Sequence, residues 1–253
     1  MASRSFLPLA LAAALVAAPA LADDKKSEKL IPGEFTATVT LATDYLYRGI
    51  SQTDENPAIQ GSIDYSYMFK EDFGVYLGVW ASNLNFNDGN EATIEMDVYG
   101  GVKGKVVGLD WQLGMIGYFY PGASSRLNYD FYEFAGKLGY DFGFASVAGG
   151  LNYSPDFFGA SGDAWYLYGD VKVPIPGAPL ELAVIGHLGH QWIEKNDRFG
   201  TPDYLEWQAG LTATVEGFTL SLVYADTDLK KSECLGGKTI CGARALFSIS
   251  RTF

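Results

Sequence analysis

From Glu34 to the C-terminus, apolar and polar residues alternate with a period of two, and no 3.6-residue helical pattern persists. The alternation comes in segments of about ten residues, the length at which a tilted strand crosses a bilayer. Twelve strands are predicted, over 34–48, 58–70, 73–84, 92–104, 107–120, 129–140, 143–154, 163–175, 179–193, 203–215, 217–226 and 241–253. Tight connections, such as Lys70-Glu71-Asp72, Lys105-Val106, Asp141-Phe142 and Glu216, alternate with longer polar loops at 49–57, 85–91, 121–128, 155–162, 194–202 and 227–240. Short turns on one side and long loops on the other are the hairpin pattern of an outer-membrane barrel. The expected fold is therefore all-β: a single twelve-stranded antiparallel transmembrane barrel, with short periplasmic turns and longer extracellular loops.

One face of every strand is nearly free of charge. The first shows Phe35, Ala37, Val39, Leu41, Tyr45 and Tyr47; the third shows Phe73, Val75, Leu77, Val79 and Ala81; the eleventh shows Phe218, Leu220, Leu222 and Tyr224. Asp130, at a strand end, and Arg251, near the periplasmic end, are the exceptions. Alternation alone does not say whether this face turns outward to lipid or inward to a soluble core. The aromatics discriminate. Tyr65, Tyr67, Phe69, Phe73, Trp111, Tyr140, Phe218 and Phe253 lie near the short turns. Tyr45, Tyr47, Phe119, Tyr132, Tyr153, Trp165, Trp192, Trp207 and Tyr224 lie near the long loops. Two aromatic girdles around an aliphatic band point to lipid.

The opposite face is polar. It offers the acids Asp44, Asp64, Glu95, Asp97, Glu133, Asp170, Glu181 and Glu206, against the bases Arg48, Lys103, Lys137, Lys172 and Arg244. More acids than bases imply a mildly cation-preferring lumen. A barrel of about eight strands is filled by its own side chains, and one of about sixteen encloses an aqueous channel. Twelve lies between, so a narrow channel is expected, with a lumen plugged by mutually paired charges as the alternative. The constriction candidates are Arg48, Asp64, Trp80, Glu95, Asp97, Glu133, Glu206 and Arg244. The inward aromatics Tyr76, Trp80, Tyr118, Tyr166 and Tyr168 read either as a stacking track for a ring-bearing solute or as lumen packing.

The first 22 residues read as a secretory signal peptide, with Arg4, an apolar run over 7–16 and Ala20-Leu21-Ala22 at the cleavage point. Residues 23–33 read as a polar periplasmic tail, and 34–253 as the barrel. In an exported chain, the two cysteines, Cys234 and Cys241, are expected to form a disulfide in the last and longest outer loop.

The chain has 253 residues, with 30 Gly, 16 Phe, 16 Tyr and 5 Trp, and a net charge of −12. That acidity excludes the basic footprint of a nucleic-acid binder. No phosphate loop, zinc pattern or calcium loop is present, so no cofactor or metal is expected. The expected partners are outer-membrane lipids and small hydrophilic solutes; nothing marks an oligomer interface. Hydrolysis would need a Ser activated by His. Only His187, pointing inward, and His190, pointing outward, are available, and no Ser is marked as their partner. The chain is therefore not expected to be an enzyme. A closed structural or adhesive barrel, and then a lipid hydrolase, are the alternatives to a channel.

Several phrases lie between Tyr45 and Glu133: Tyr47-Arg48-Gly49-Ile50-Ser51-Gln52, Pro57-Ala58-Ile59-Gln60-Gly61, Gly78-Val79-Trp80-Ala81-Ser82-Asn83, Glu95-Met96-Asp97-Val98-Tyr99-Gly100, and Tyr120-Pro121-Gly122 with Asn128-Tyr129. With these the chain resembles the TorF family of porins, exported bacterial outer-membrane proteins. The resemblance implies an outer-membrane barrel and a pore. It supplies no solute and no binding residues.

Overall fold

The computed structural model describes residues 31–89, 92–178 and 180–253. The signal peptide, and the tail as far as residue 30, lie outside the described residues.

Twelve antiparallel strands close into one barrel. They are β1 (Glu34–Ala42), β4 (Ala58–Lys70), β5 (Phe73–Asn83), β6 (Ile94–Val106), β7 (Leu109–Phe119), β8 (Phe131–Asp141), β9 (Ser146–Ser154), β10 (Ala164–Pro174), β11 (Glu181–Ile193), β12 (Tyr204–Val215), β13 (Phe218–Thr227) and β14 (Arg244–Thr252). Each pairs with its sequence neighbour, and β1 pairs with both β4 and β14. The seam is sealed at the chain end: Phe253 and Ala37 exchange backbone hydrogen bonds of 2.8 and 3.1 Å. Closure leaves no unpaired edge, which a bilayer would not tolerate.

The outward face is the uncharged one. Ile59, Ile63, Leu77, Leu113, Leu167, Leu188, Leu211 and Leu222 are all exposed. A continuous apolar surface of this kind is stable against lipid tails and unstable in water. No described helix is long and apolar enough to cross a membrane; strands make the crossing. Arg251 faces outward with its guanidinium over the rings of Phe218 (4.8 Å) and Phe253 (5.2 Å), which lets a cation sit in the aromatic girdle. Two short turns, at Val107-Gly108 and Glu216-Gly217, have positive φ at both residues, the primed geometry that matches strand twist.

The first strand ends at Ala42, not at residue 48. Thr43 still caps the wall, its Oγ1 accepting from Phe247 N at 3.0 Å. Beyond it the chain turns into the lumen and makes a small hairpin of β2 (Leu46–Tyr47) and β3 (Ile50–Ser51). Tyr45 and Tyr47, expected in the outer girdle, are therefore inside: Tyr45 is buried and Tyr47 packs against Tyr118. The cause is local. Asp44 accepts hydrogen bonds from Ser51 Oγ (2.6 Å) and Thr53 Oγ1 (2.7 Å), which folds the segment on itself, and Arg48-Gly49 turns at positive φ.

The predicted disulfide is present, between Cys234 and Cys241. It sits in the last outer loop and packs with Ile50, Tyr204 and Ile240.

Candidate functional site

Segment 43–57 enters the lumen from the junction of β1 and β4. In the closed order, β9 is the strand diametrically opposite β1. Arg48 reaches that far wall. Its Nη2 donates to both carboxylate oxygens of Glu133 on β8 (2.7 and 2.6 Å), and its Nη1 donates to Gln191 Oε1 on β11 (2.5 Å). The guanidinium lies over the rings of Tyr166 on β10 (4.1 Å), Tyr47 (4.7 Å) and Phe157 (5.6 Å). Arg48 is 4% exposed, Glu133 1% and Gln191 0%. Arg48 is thus a crossbar that spans the lumen. A buried pair of this kind holds only where its remaining hydrogen-bonding groups are satisfied. Glu133 Oε2 meets that condition through Asn152 Nδ2 (2.7 Å) and Tyr118 OH (3.1 Å).

Two further anchors hold the segment. On one side Tyr45 OH donates to Glu95 (3.0 Å), and its ring lies 5.2 Å from that of Trp80. On the other, Arg244 bridges Asp44 (2.8 Å) and Glu55 (3.3 Å), while Ser51 N donates to Ile240 O of the disulfide loop (2.9 Å). A cleft of about 390 Å³ remains between the segment, the start of β14 and that loop. Above the crossbar, Phe86, Tyr120, Tyr129, Phe157, Phe158 and Phe199 form an aromatic roof. In that roof burial, then a hydrogen bond to Asp88, pushes the Tyr129 phenol above its usual range, which keeps it a neutral donor.

The constriction candidates fall into two groups. Arg48, Trp80, Glu95, Asp97, Glu133, Glu206 and Arg244 all belong to the packed outer half, and Glu95, Asp97 and Glu206 are buried. Asp64 lies lower and accepts from Tyr99 OH and Ser62 Oγ. The packed half was read from the sequence as strand faces; its keystone comes instead from a loop. Gln191, Asn152 and Phe157 carried no sequence signal, being single polar or aromatic residues on otherwise ordinary strands and loops. Glu181 sits exposed at the start of β11, on the same inward alternation as Ala183, His187 and Gln191.

His187 faces inward as expected. Its Nδ1 contacts Asp170 (2.7 Å) and its Nε2 contacts Glu206 (2.6 Å), with Tyr166 OH at 2.9 Å. Both ring nitrogens are thus engaged by carboxylates, which does not suit a general base for a serine. His190 faces outward and packs with its ring tilted against that of Trp192 (4.0 Å between centroids), as a girdle residue.

Below the crossbar the lumen is more open. Asp64, Tyr76, Tyr99, Lys103, Lys137, Tyr168 and Lys172 are only partly buried there. Two of the tyrosines lie against glycines of neighbouring strands, Tyr99 on Gly78 and Tyr168 on Gly150, and the Tyr76 hydroxyl reaches Gly114 two strands away. A side chain at Gly78 or Gly150 would collide with the ring, so these two glycines let the rings lie flat on the wall. Gly150→Ala is expected to destabilise the barrel by about 1–3 kcal/mol. Gly139→Ala should be much milder, because a Cβ there meets nothing closer than 3.6 Å. Urea midpoints compare the two, and equal midpoints would refute the seating argument.

Residues 26–253 match a family described as "Bacterial protein of unknown function (Gcw_chp)". No curated protein sequence matches the chain. Among solved structures, the chain is similar to the KdgM porin (10% identity, TM-score 0.53, covering 86% of this chain and 99% of that one). It is similar also to OmpF of Salmonella typhi, in a complex with daunomycin (7%, 0.50, 87% and 97%). A third similar structure is the COG4313 outer membrane channel from Pseudomonas putida F1 (10%, 0.49, 92% and 100%). At these identities the shared property is the fold.

Proposed function

The chain belongs to the Gcw_chp family of bacterial proteins, whose function is unknown, and we propose that it is an outer-membrane channel for small hydrophilic solutes. The observation that carries the reading is the division of the barrel wall: an apolar, girdled outside around a lumen lined by charged and hydroxyl groups. A barrel with no solute to pass would be more stable with an apolar filling, because buried ion pairs contribute little net stability. The phrases around Arg48, Trp80 and Glu95 support the narrower TorF porin reading, and the N-terminal pattern of Arg4, an apolar run over 7–16 and Ala20-Leu21-Ala22 supports export. Passage needs segment 43–57 to move, because the Arg48 crossbar blocks the direct route.

Refolded protein in a planar bilayer tests the proposal. Discrete conductance steps are expected from the wild type, or at least from Arg48→Ala. A silent bilayer for both, with protein that migrates as a folded, heat-modifiable band, would leave the closed structural barrel as the reading. That alternative draws on the same crossbar, taken as permanent.

The proposed mild cation preference resides in the outer half. There Asp44, Glu95, Asp97, Glu133 and Glu206 outnumber Arg48 and Arg244, whereas Lys103, Lys137 and Lys172 balance the lower half. The double variant Glu95→Gln, Asp97→Asn should move the reversal potential in a salt gradient toward zero selectivity. An unchanged potential would remove these two residues from the selectivity argument.

A further inference from the structure

The groups around Arg48 form a receptor, and the receptor is independent of the segment that fills it. Glu133, Gln191 and Tyr166 belong to the strands of the far wall, and Phe157 to the loop between β9 and β10. Only Arg48 and Tyr47 arrive with segment 43–57.

The acceptors face the lumen for reasons that do not involve Arg48. Gln191 Nε2 donates to two backbone carbonyls, Trp165 O and Trp192 O, both at 3.1 Å, so Gln191 Oε1 has to point inward. Glu133 is held by Asn152 and Tyr118. The wall therefore presents a carboxylate and a carbonyl oxygen side by side, beneath the face of Tyr166, with no competing base in ion-pair contact among the described residues once Arg48 is discounted.

This is the recognition chemistry of a planar cation with two separate donor nitrogens. The two terminal nitrogens of Arg48 go to different acceptors, and its plane is covered by rings. A guanidinium satisfies all three demands, whereas an ammonium is a point charge without a plane to stack. An anion would face Glu133 directly.

We propose that the pocket around Glu133 is a binding site for solutes that carry a guanidinium group, and that Arg48 is its built-in occupant, exchanged for the solute when segment 43–57 withdraws. The inference rests on the channel reading for the route by which a solute arrives. A tethered occupant competes at an effective concentration on the order of millimolar, so wild-type protein binds a free solute weakly and a vacated pocket binds it more tightly.

The test uses full-length protein in detergent micelles, with binding followed by calorimetry. Arg48→Gln should bind L-arginine with a Kd about ten-fold or more below that for L-citrulline, its uncharged isostere. Wild type should show little binding over the same range, and adding Glu133→Gln to Arg48→Gln should erase the preference. A second measurement needs no variant: L-arginine, but not L-citrulline, should speed chymotrypsin cleavage after Tyr45 or Tyr47 in wild-type protein. A folded Arg48→Gln that does not distinguish arginine from citrulline would overturn the proposal, as would wild-type binding equal to that of the variant. Binding with silent bilayers would defeat the channel reading and leave the pocket; conductance without binding would defeat the pocket alone.

Discussion

Arg48→Ala is expected to open the barrel. Planar bilayers of the variant should show either a several-fold larger unit conductance or a much greater open fraction than wild type. The substitution removes the Arg48 contacts that tie segment 43–57 to the far wall: two bonds to Glu133, one to Gln191 and the ring faces of Tyr166 and Phe157. It also leaves Glu133 without a cation. Breaking a buried pair by deleting one partner costs about 3–5 kcal/mol. Part of that cost disappears if the segment lifts away and water reaches the carboxylate, so the penalty on the closed state becomes a driving force for the open one. Every 1.4 kcal/mol is about a factor of ten, which places the change in the closed-to-open ratio on the order of a hundredfold or more. The rim anchors survive, with Arg244 still on Asp44 and Glu55, and Ile50 still packed by the disulfide loop. The middle of the segment is therefore expected to peel back while its ends stay attached. Arg48→Lys keeps the charge but loses the planar contacts, and should fall between the two. Identical traces from wild type and Arg48→Ala, both heat-modifiable, would show that the crossbar does not control passage.

The wall was legible in the sequence because lipid imposes a strict rule on it. A charge on the outward face is costly at every mid-depth position, so a period of two with no charge betrays both the strand and its direction. The same rule explains the main error. The apolar positions Phe35, Ala37, Val39 and Leu41 continue in phase to Tyr45 and Tyr47, and a girdle aromatic looks like an interior aromatic in one dimension. The break in the pattern is Thr43, a polar residue at an outward position, followed by Asp44 and then the Arg48-Gly49 turn. Those were the available signs that the strand had ended.

The candidate site was legible only residue by residue. Arg48 and Glu133 were both expected in the lumen, yet their pairing was not, because they lie on opposite sides of a closed barrel. Strand register constrains neighbours on the wall and says nothing about side chains that meet across the interior. Gln191 illustrates the limit: its role comes from Trp165 O and Trp192 O fixing its amide, a geometry that a sequence does not display.

The outward face carries the second large effect. Leu211 lies near the middle of β12, directly opposite Val184 on β11 and Leu222 on β13, and all three are exposed. In a bilayer this is the centre of the aliphatic band, and Leu211→Arg is expected to cost about 2–4 kcal/mol. In water the same exposed position would accept an arginine with a change of less than about 0.5 kcal/mol, as ordinary surface substitutions do. Gln208→Arg is the matched control, since Gln208 belongs to the inward-facing set, opposite His187 and Ala225. Urea unfolding from lipid vesicles should separate the two, with Leu211→Arg lowering the midpoint strongly and Gln208→Arg weakly. If both variants unfold at the wild-type midpoint, the exposed leucines are not facing lipid, and the membrane assignment of the whole barrel falls with them.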